Sequence, residues 1–344
     1  MFVRSCWYVA AWSEDVVSGE PYPVTILGEA IVVYRLGSGG YAALEDRCVH
    51  RLAPLSLGRC EGDNLRCMYH GLMFDPSGRC TEIPGQDMIP AKARVATYPV
   101  EERDGWIWIW MGERSAADPA LIPNSYGPAS TDWRLATGHI DYEANFQLIN
   151  DNLTDFSHLS FVHANSFRSG LNWALSRPRI ATLERGIRVE RWVEEDPVPP
   201  FLEGRGFNSV DQYIHYDYLV PGILLMRTEI HPGGTAAPLG EDRPEPLFGT
   251  FSAQAVTPID ERRSRYFFSW GPRAKDGDEQ MASAMMGVAR MAFDEDRAMI
   301  EAQQKVIDRD PDRQPMPIAA DKGVTLFQRM MAGFVREDNR APES

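Results

Sequence analysis

Four side chains between Cys48 and Gly71 have the types and spacing to bind metal, in two short pairs, Cys48-x-His50 and Cys67-x-x-His70. Two thiolates and two imidazoles can hold one zinc ion, or a [2Fe–2S] cluster in which two histidines replace two cysteines on one iron. Spacing separates the two cases. A tetrahedral zinc site usually draws on C-x₂₋₄-C and H-x₃₋₅-H pairs, each loop wrapping the one ion. Here each loop supplies one sulfur and one nitrogen, which suits a cluster whose two irons have different ligands. The other cysteines, Cys6, Cys60 and Cys80, read as small hydrophobes in a reducing compartment.

A second concentration of chemistry runs from Asn152 through Asp155 and His158 to His163. Two histidines and one carboxylate with open positions are the arrangement of non-haem Fe(II) sites that activate O2. His158 and His163 are five apart, and on a regular α-helix they diverge by about 140°. Both reach one ion only if the helix ends, bulges or unwinds between them, so a π-bulge or a break is expected near Ser160.

The third ligand should be a distant carboxylate, and Phe293-Asp294-Glu295-Asp296 is the candidate run, inside a helix expected over roughly 279–308. An apolar stripe through Met285, Val288, Ala292, Met299 and Val306 leaves Glu295 and Asp296 flanking it and turns Asp294 away. Helical angle does not choose between Glu295 and Asp296. A carboxylate beside a buried stripe needs a partner, and a metal ion would be one.

The elements that must carry these residues change character along the chain. Tyr8-Val-Ala-Ala, Val24-Thr-Ile-Leu and Ile31 to Leu36 read as strands, with a turn at Gly37-Ser-Gly-Gly into Tyr41–Glu45. That glycine cluster lacks the Lys and Ser/Thr of a phosphate loop. Tyr98 to Trp110 reads as two strands joined at Asp104-Gly105, a dipeptide suited to tight hairpins. Many short strands with turns between them make the first ~110 residues an all-β module. A Pro-rich join follows Gly112, placing the domains at 1–113 and 114–344. Helix-compatible residues dominate Tyr142 to Phe161, strand-like segments return from about Tyr213 to Trp270, and the long helix comes last. The charged tail after Val335 is expected to be disordered.

Composition sets bounds. The chain is 44% hydrophobic and 24% charged, ordinary for a globular protein, and its formal net charge of -14 argues against a general nucleic-acid binder. With no signal-peptide pattern and no apolar run approaching the ~20 residues of a membrane span, a cytoplasmic protein is expected.

With Arg51 to Pro54 after the first pair and Gly71 after the second, the cluster stretch resembles the Rieske motif, C-x-H…C-x₂-H. Asn152, Asp155, His158 and His163 match the N-x-x-D-x-x-H-x₄-H signature of Rieske non-haem iron oxygenases. The E-D-x-x-x-x-E pattern of that family aligns with Glu295-Asp296…Glu301 and places the ligand at Asp296. The start, Phe2 to Ala11, and the segment Arg103 to Gly112 look most like the vanillate O-demethylase and dicamba monooxygenase branch.

The resemblance implies an α+β chain, with an N-terminal all-β Rieske domain followed by a helix-on-antiparallel-sheet catalytic domain. It implies a [2Fe–2S] cluster on Cys48, His50, Cys67 and His70, and mononuclear Fe(II) on His158, His163 and Asp296. Asn152 and Asp155 become catalytic positions, with Asp155 bridging His70 of one subunit and His158 of the next in a homotrimer. Such a bridge would fix the imidazole tautomer and shorten the electron route. Electrons would come from NAD(P)H through a separate reductase or ferredoxin, since no dinucleotide fingerprint occurs here. The reaction implied is O2-dependent oxidation of a small aromatic. Its first form is O-demethylation, in which a hydroxylated methoxy carbon breaks down to formaldehyde and a phenol. Ring hydroxylation and N-demethylation of another aromatic or heterocycle are the alternatives. Family analogy puts the substrate in the region from His215 through Ile230, with Phe251 and the Tyr266 to Trp270 run, and with Arg227 or His215 as candidates to meet a carboxylate.

Overall fold

The computed structural model describes residues 1–236 and 244–340. Its contacts divide the chain into two compact units, Met1–Asn124 with Thr257–Asp260, and Ser125–Val256 with Glu261 onward. The boundary at Asn124 lies inside the Pro-rich join read from the sequence and later than the division at 113/114. The residues of that join are tied to the first unit, where Trp7 Nε1 donates to Asp118 O at 2.8 Å and Arg103 donates to Pro119 O and Ile122 O.

Three antiparallel sheets form the first unit. One joins β1 (Trp7–Trp12) to β10 (Val100–Arg103) and β11 (Trp106–Trp110). A second joins β2 (Tyr22–Ile26), β3 (Glu29–Arg35), β4 (Tyr41–Glu45) and β9 (Thr97–Tyr98). The third is made of β5 (Arg59–Glu61), β6 (Asn64–Arg66), β7 (Met73–Phe74) and β8 (Cys80–Glu82). The hairpin between β10 and β11 turns on Asp104 and Gly105, both at positive φ (56° and 79°), which the right-handed twist of paired strands favours. All five residues of β11, Trp-Ile-Trp-Ile-Trp, are buried, so neither face of that strand meets water. The core beneath the cluster loops gathers Tyr34, Leu44, Leu55, Leu65 and Phe74, with Cys48, Cys67 and Cys80 buried among them.

The second unit is built on a seven-stranded antiparallel sheet. Its strands in chain order are β12 (Ala136–Tyr142), β13 (Arg179–Leu183), β14 (Gly186–Asp196), β15 (Val210–Leu219), β16 (Ile223–Pro232), β17 (Phe248–Pro258) and β18 (Ser264–Pro272). In space β12 pairs with β18, and the rest follow as a meander from β18 back to β13. Helix α1 (Phe146–Thr154) and the short α2 (Leu159–Val162) and α3 (Asn172–Leu175) lie between β12 and β13. The long α4 (Glu279–Arg309) packs on β12 and β18, and α5 (Lys322–Asp338) packs on β13 and β14.

Helix α4 begins at Asp278, whose carboxylate accepts from Met281 N at 2.9 Å and satisfies an otherwise orphaned helix donor. Its buried row is Met285, Ala289, Ala292, Phe293, Asp296 and Ile300. That corrects the stripe drawn from the sequence: Met299 and Val306 are exposed, and Asp296 stands inside the row instead of beside it. The row follows small alanines against the sheet, which a search for large apolar residues passes over. The tail expectation is also corrected. Phe327 and Met331 repeat at i and i+4 on the buried face of α5, so helix continues through Val335 to Asp338. Residues Ala341–Ser344 lie outside the described residues.

Candidate metal centre

In the first unit the two cluster loops share one backbone design. Leu52 N donates to Cys48 O and Gly71 N to Cys67 O, both at 2.9 Å. Cys48 N then donates to Ala53 O, and Cys67 N to Leu72 O, both at 2.8 Å. Each cysteine therefore opens a tight turn closed four and five residues later, with a left-handed residue at the same place, Leu52 (φ 59°) and Gly71 (φ 80°). The thiols are buried and the imidazoles exposed, with the His50 and His70 rings 4.5 Å apart. Burial pushes the Cys48 thiol up to about 11, aided by its contact with Cys67. Two sulfurs inside and two nitrogens outside match a cluster with unlike irons.

Arg66 braces the second loop. Its guanidinium donates to Gly71 O at 2.7 Å and holds Glu61 and Glu82 at 2.8 and 2.9 Å. Hydrogen bonds from Arg66, then Arg59, hold the Glu61 carboxyl down at about 2.

In the second unit, one acceptor atom from each of His158, His163 and Asp296 lies within 4.8 Å of the other two. His158 Nε2 is 3.6 Å from Asp296 Oδ1, and His163 Nε2 is 3.2 Å from Asp296 Oδ2. Ligand bonds of about 2.1 Å at right angles would put neighbouring donor atoms about 3 Å apart, so the group fits a divalent metal ion. The far nitrogens are already used. His158 Nδ1 donates to the main-chain oxygen of Asp155 at 2.6 Å, and His163 Nδ1 donates to Glu295 Oε2 at 3.0 Å. Those bonds put the proton on Nδ1 and leave Nε2 bare toward Asp296. Burial pulls the His158 pKa down. Burial acts the same way on His163, but hydrogen bonds and charge from Asp296 and Glu295 outweigh it and raise that pKa.

The local chain explains how two histidines five apart converge. Helix α1 stops at Asp155, which is extended (φ −137°, ψ 104°) and whose carboxylate accepts from Ser157 N and Ser157 Oγ. A 3₁₀ turn over Phe156–His158 leads into α2, and His163 lies just past its end at φ −102°, ψ 23°. The imidazoles thus sit at the two ends of α2, with ring centroids 5.3 Å apart. Of the π-bulge or break expected near Ser160, neither falls at that residue: the chain leaves α geometry on either side of α2, in the 3₁₀ turn before it and at His163 after it. Ser160 is helical, and its hydroxyl ties α2 to the following loop through Gly170 O and to α3 through Ala174 N.

Asn152 Nδ2 donates to Asp296 Oδ1 at 3.0 Å and lies 3.3 Å from His158 Nε2, holding the carboxylate in place. Asp155 reaches His158 through its main-chain carbonyl and not, as the resemblance implies, through its carboxylate, which accepts from Ser157. Asp294 is exposed and paired with Arg297. Glu295, a candidate ligand by helical angle, instead supports His163 from behind, and that role, with Ser166 whose hydroxyl donates to Glu295 at 2.6 Å, is not legible in the spacing. The signal available was the second carboxylate of the pair, a quarter turn from the first.

The three donors stand in the wall of a cavity of about 120 Å³. Aromatic residues Phe156, Phe167, Trp173, Phe201, Trp270 and Phe293 line it together with aliphatic side chains. Successive residues of a strand face opposite ways, so β16 sends Thr228 and Ile230 to the cavity and β17 sends Thr250, Ser252 and Gln254. Arg227 and Phe251 take the opposite face, where Arg227 donates to Tyr126 Oη and Phe251 packs edge-on against Tyr126 at 4.9 Å. His215 is paired with Arg227 across the strands and does not line the cavity either. Of the region suggested by analogy, Met226, Thr228, Ile230 and Trp270 reach it.

The Rieske [2Fe-2S] domain family matches residues 6–99, and the vanillate O-demethylase oxygenase C-terminal domain family matches residues 142–337. The iron-sulfur subunit of the toluene-4-sulfonate monooxygenase system of Comamonas testosteroni is 40% identical, over 98% of this chain and 99% of its own. A vanillate O-demethylase oxygenase subunit of a Pseudomonas species is 30% identical, over 100% of this chain and 98% of its own. A crystal structure of dicamba monooxygenase bound to 3,6-dichlorosalicylic acid superposes with a TM-score of 0.88 at 28% identity, covering 98% of this chain and 99% of that one. Two ligand loops of one design and a histidine–histidine–carboxylate face therefore have a shared ancestry behind them: the chain belongs to the Rieske non-haem iron oxygenases, as an oxygenase component that carries a [2Fe–2S] cluster and a mononuclear iron.

Proposed function

We propose that this protein oxidises a methoxy carbon on a small, single-ring aromatic and so releases formaldehyde and a phenol. The observation that carries this is the convergence of His158 Nε2, His163 Nε2 and Asp296 in the wall of one aromatic-lined cavity. A cavity of about 120 Å³ is close to the size that admits one benzene ring. Iron bound by these residues supplies O2 chemistry, with electrons drawn from NAD(P)H through a separate reductase or ferredoxin and the cluster. The chain's own part is to orient both imidazoles through Asp155 O and Glu295, hold Asp296 with Asn152, and keep water from the ring with Phe167, Trp173 and Trp270. A second reading, hydroxylation of a ring methyl group, is favoured by the 40% identity to a toluene-4-sulfonate monooxygenase subunit. Turnover, with the reductase, of a methoxyarene that also bears a ring methyl group decides between them: formaldehyde is expected, and a benzylic alcohol that keeps the methoxy carbon would install the second reading.

The working assembly in this reading is a homotrimer in the cytoplasm. His70 is exposed on its loop, free in direction to reach another chain. The Asp155 carboxylate holds Ser157 with both oxygens, yet a carboxylate has about four acceptor positions, enough to take His70 of the partner subunit as well. Asp155→Asn is expected to keep both metals and slow single-turnover oxidation of the cluster about 100-fold. An unchanged rate in stopped flow would remove the bridge.

A further inference from the structure

We propose that Ile230 sets the length of substrate that this protein accepts. It is the partition between the metal cavity and a second, mostly apolar chamber. A smaller residue there would admit an arene extended by an apolar group with an anionic end. The inference rests on the ring-oxidising reading above and names the residue that confines it to one ring.

The second chamber has a volume of about 190 Å³ and is lined mainly by apolar side chains, among them Leu202, Val210, Leu247 and Phe248. Among the described residues, Ile230 alone lines both spaces. Strand register explains why. Gln212, Ile230 and Phe248 are cross-strand partners on β15, β16 and β17, so they form one row on one face of the sheet. Gln212 lines the metal cavity and Phe248 the second chamber, and the row passes from one to the other at Ile230. The next positions on the same face agree: Val210 belongs to the second chamber and Thr250 to the metal cavity. The 3₁₀ turn Pro200–Leu202 makes the same division, with Phe201 on the metal side and Leu202 on the other.

Ile230 is 1% exposed and clusters with Leu202, Val210, Phe248 and Met285, so one branched side chain fills the partition at this point. Phe201 and Phe248, with ring centroids 5.7 Å apart, meet across the rest of it. Truncation to alanine removes the Ile230 side chain beyond Cβ, and a buried site relaxes only partly around such a loss, so space opens between the chambers. The metal donors come from residues 158–163 and from α4, whereas Ile230 comes from β16, so the ligand set stays in place. Arg205 is the one charged side chain among the described lining residues of the second chamber, and its guanidinium lies 5.6 Å from the Phe248 ring centroid. The described lining of the metal cavity has no lysine or arginine. An anionic end therefore has a side-chain counter-charge in the second chamber and none in the first.

Three methoxyarenes test the partition: anisole has one ring, 4-methoxybiphenyl adds a second, and 4′-methoxybiphenyl-4-carboxylate adds an anionic end. Each is titrated anaerobically into the iron-loaded full-length protein by calorimetry. In the wild type, 4-methoxybiphenyl is expected to bind about tenfold more weakly than anisole. In Ile230→Ala it should gain about tenfold, and the carboxylate about threefold more. Anisole affinity and the cluster's visible spectrum should be kept, which shows that the variant is folded. Adding Arg205→Met should remove the carboxylate's advantage and leave 4-methoxybiphenyl unchanged. Ile230→Val, a smaller truncation, serves if the alanine variant is unstable, with a smaller gain in the same direction. Wild-type binding of 4-methoxybiphenyl as tight as that of anisole, no gain in either variant, a carboxylate advantage that survives Arg205→Met, or no binding by any of the three would overturn the proposal. A gain in binding with no formaldehyde from any of them under turnover would sink the demethylation reading and leave the partition standing. Formaldehyde from anisole alone, in the wild type and in both variants, would do the reverse.

Discussion

The cluster loops and the metal centre solve one problem, holding histidine nitrogens and an anionic ligand still, by opposite means. In the loops every ligand lies between Cys48 and His70, and geometry is set by main-chain bonds closing four and five residues on. In the metal centre, Asn152 and Asp296 meet across 144 residues, and nothing local brings them together. Local turns specify a site through backbone conformation, so single residues at positive φ matter most there. A centre assembled from α1, α2 and α4 depends on packing and on the partners behind each ligand. Substitutions can test that contrast.

Asp296→Ala should give the largest effect. It removes the only carboxylate among the three donors, so iron should fall from about three to about two per chain, activity should vanish, and the cluster's visible spectrum should persist. Loss of both metals together would show that the two sites are not independent.

Gly71→Ala probes the local side. A Cβ there would sit 2.8 Å from Pro84 Cγ on a backbone at φ 80°, so a cost of about 1–3 kcal/mol and a weakly held cluster are expected. Leu52→Gly at the matching place should be neutral or stabilising, since Leu52 is 64% exposed and already bears the left-handed conformation. Equal damage from both would contradict the shared design of the loops.

Glu295→Gln should be milder, weakening the metal centre through its support. His163 loses a charged acceptor at 3.0 Å, and iron should be stripped by a chelator about tenfold more easily, with the cluster unaffected. Chelator resistance equal to the wild type would mean that Ser166 and the packing around His163 suffice.

The smallest effect expected is a pH dependence. The Glu61 carboxyl is held down from 4.5 to about 2, chiefly by Arg66, so the stabilisation is present above 4.5 and is lost as pH falls towards 2. Thermal melts of Arg66→Met and wild type should therefore differ near neutrality and converge on acidification. A gap that stays constant down to pH 2 would assign the effect of Arg66 to its bond with Gly71 O, not to its ion pairs.

Much of the fold was readable because its cues are short-range. Alternation and turn chemistry located β1 to β4, and the Asp104-Gly105 hairpin follows from two residues. Alternation does not mark β12 and β13, whose few apolar residues are mixed with small and polar ones, and β14 carries charge at many positions, as in Gly186-Ile-Arg-Val-Glu-Arg-Trp-Val-Glu-Glu-Asp. Their exposure is decided by which face the helices cover. The polar wall of β17 had a signal that went unused: threonine, serine and glutamine alternate with apolar residues in a strand buried throughout.

By itself the sequence determined the ligand types, the pairing of one sulfur with one nitrogen in each loop, and the positions of both histidines and of a nearby carboxylate run. Ligand chemistry and local backbone turns are properties of neighbouring residues, so they are written where they act. Tertiary structure decided that Asp296, not Glu295, faces the two Nε2 atoms, and that Glu295 supports His163 from behind. It also decided that Arg227 turns away from the cavity while Gln254 turns in. Each of those choices depends on which side of a helix or strand is covered by a distant element, and that is known only once the chain has packed.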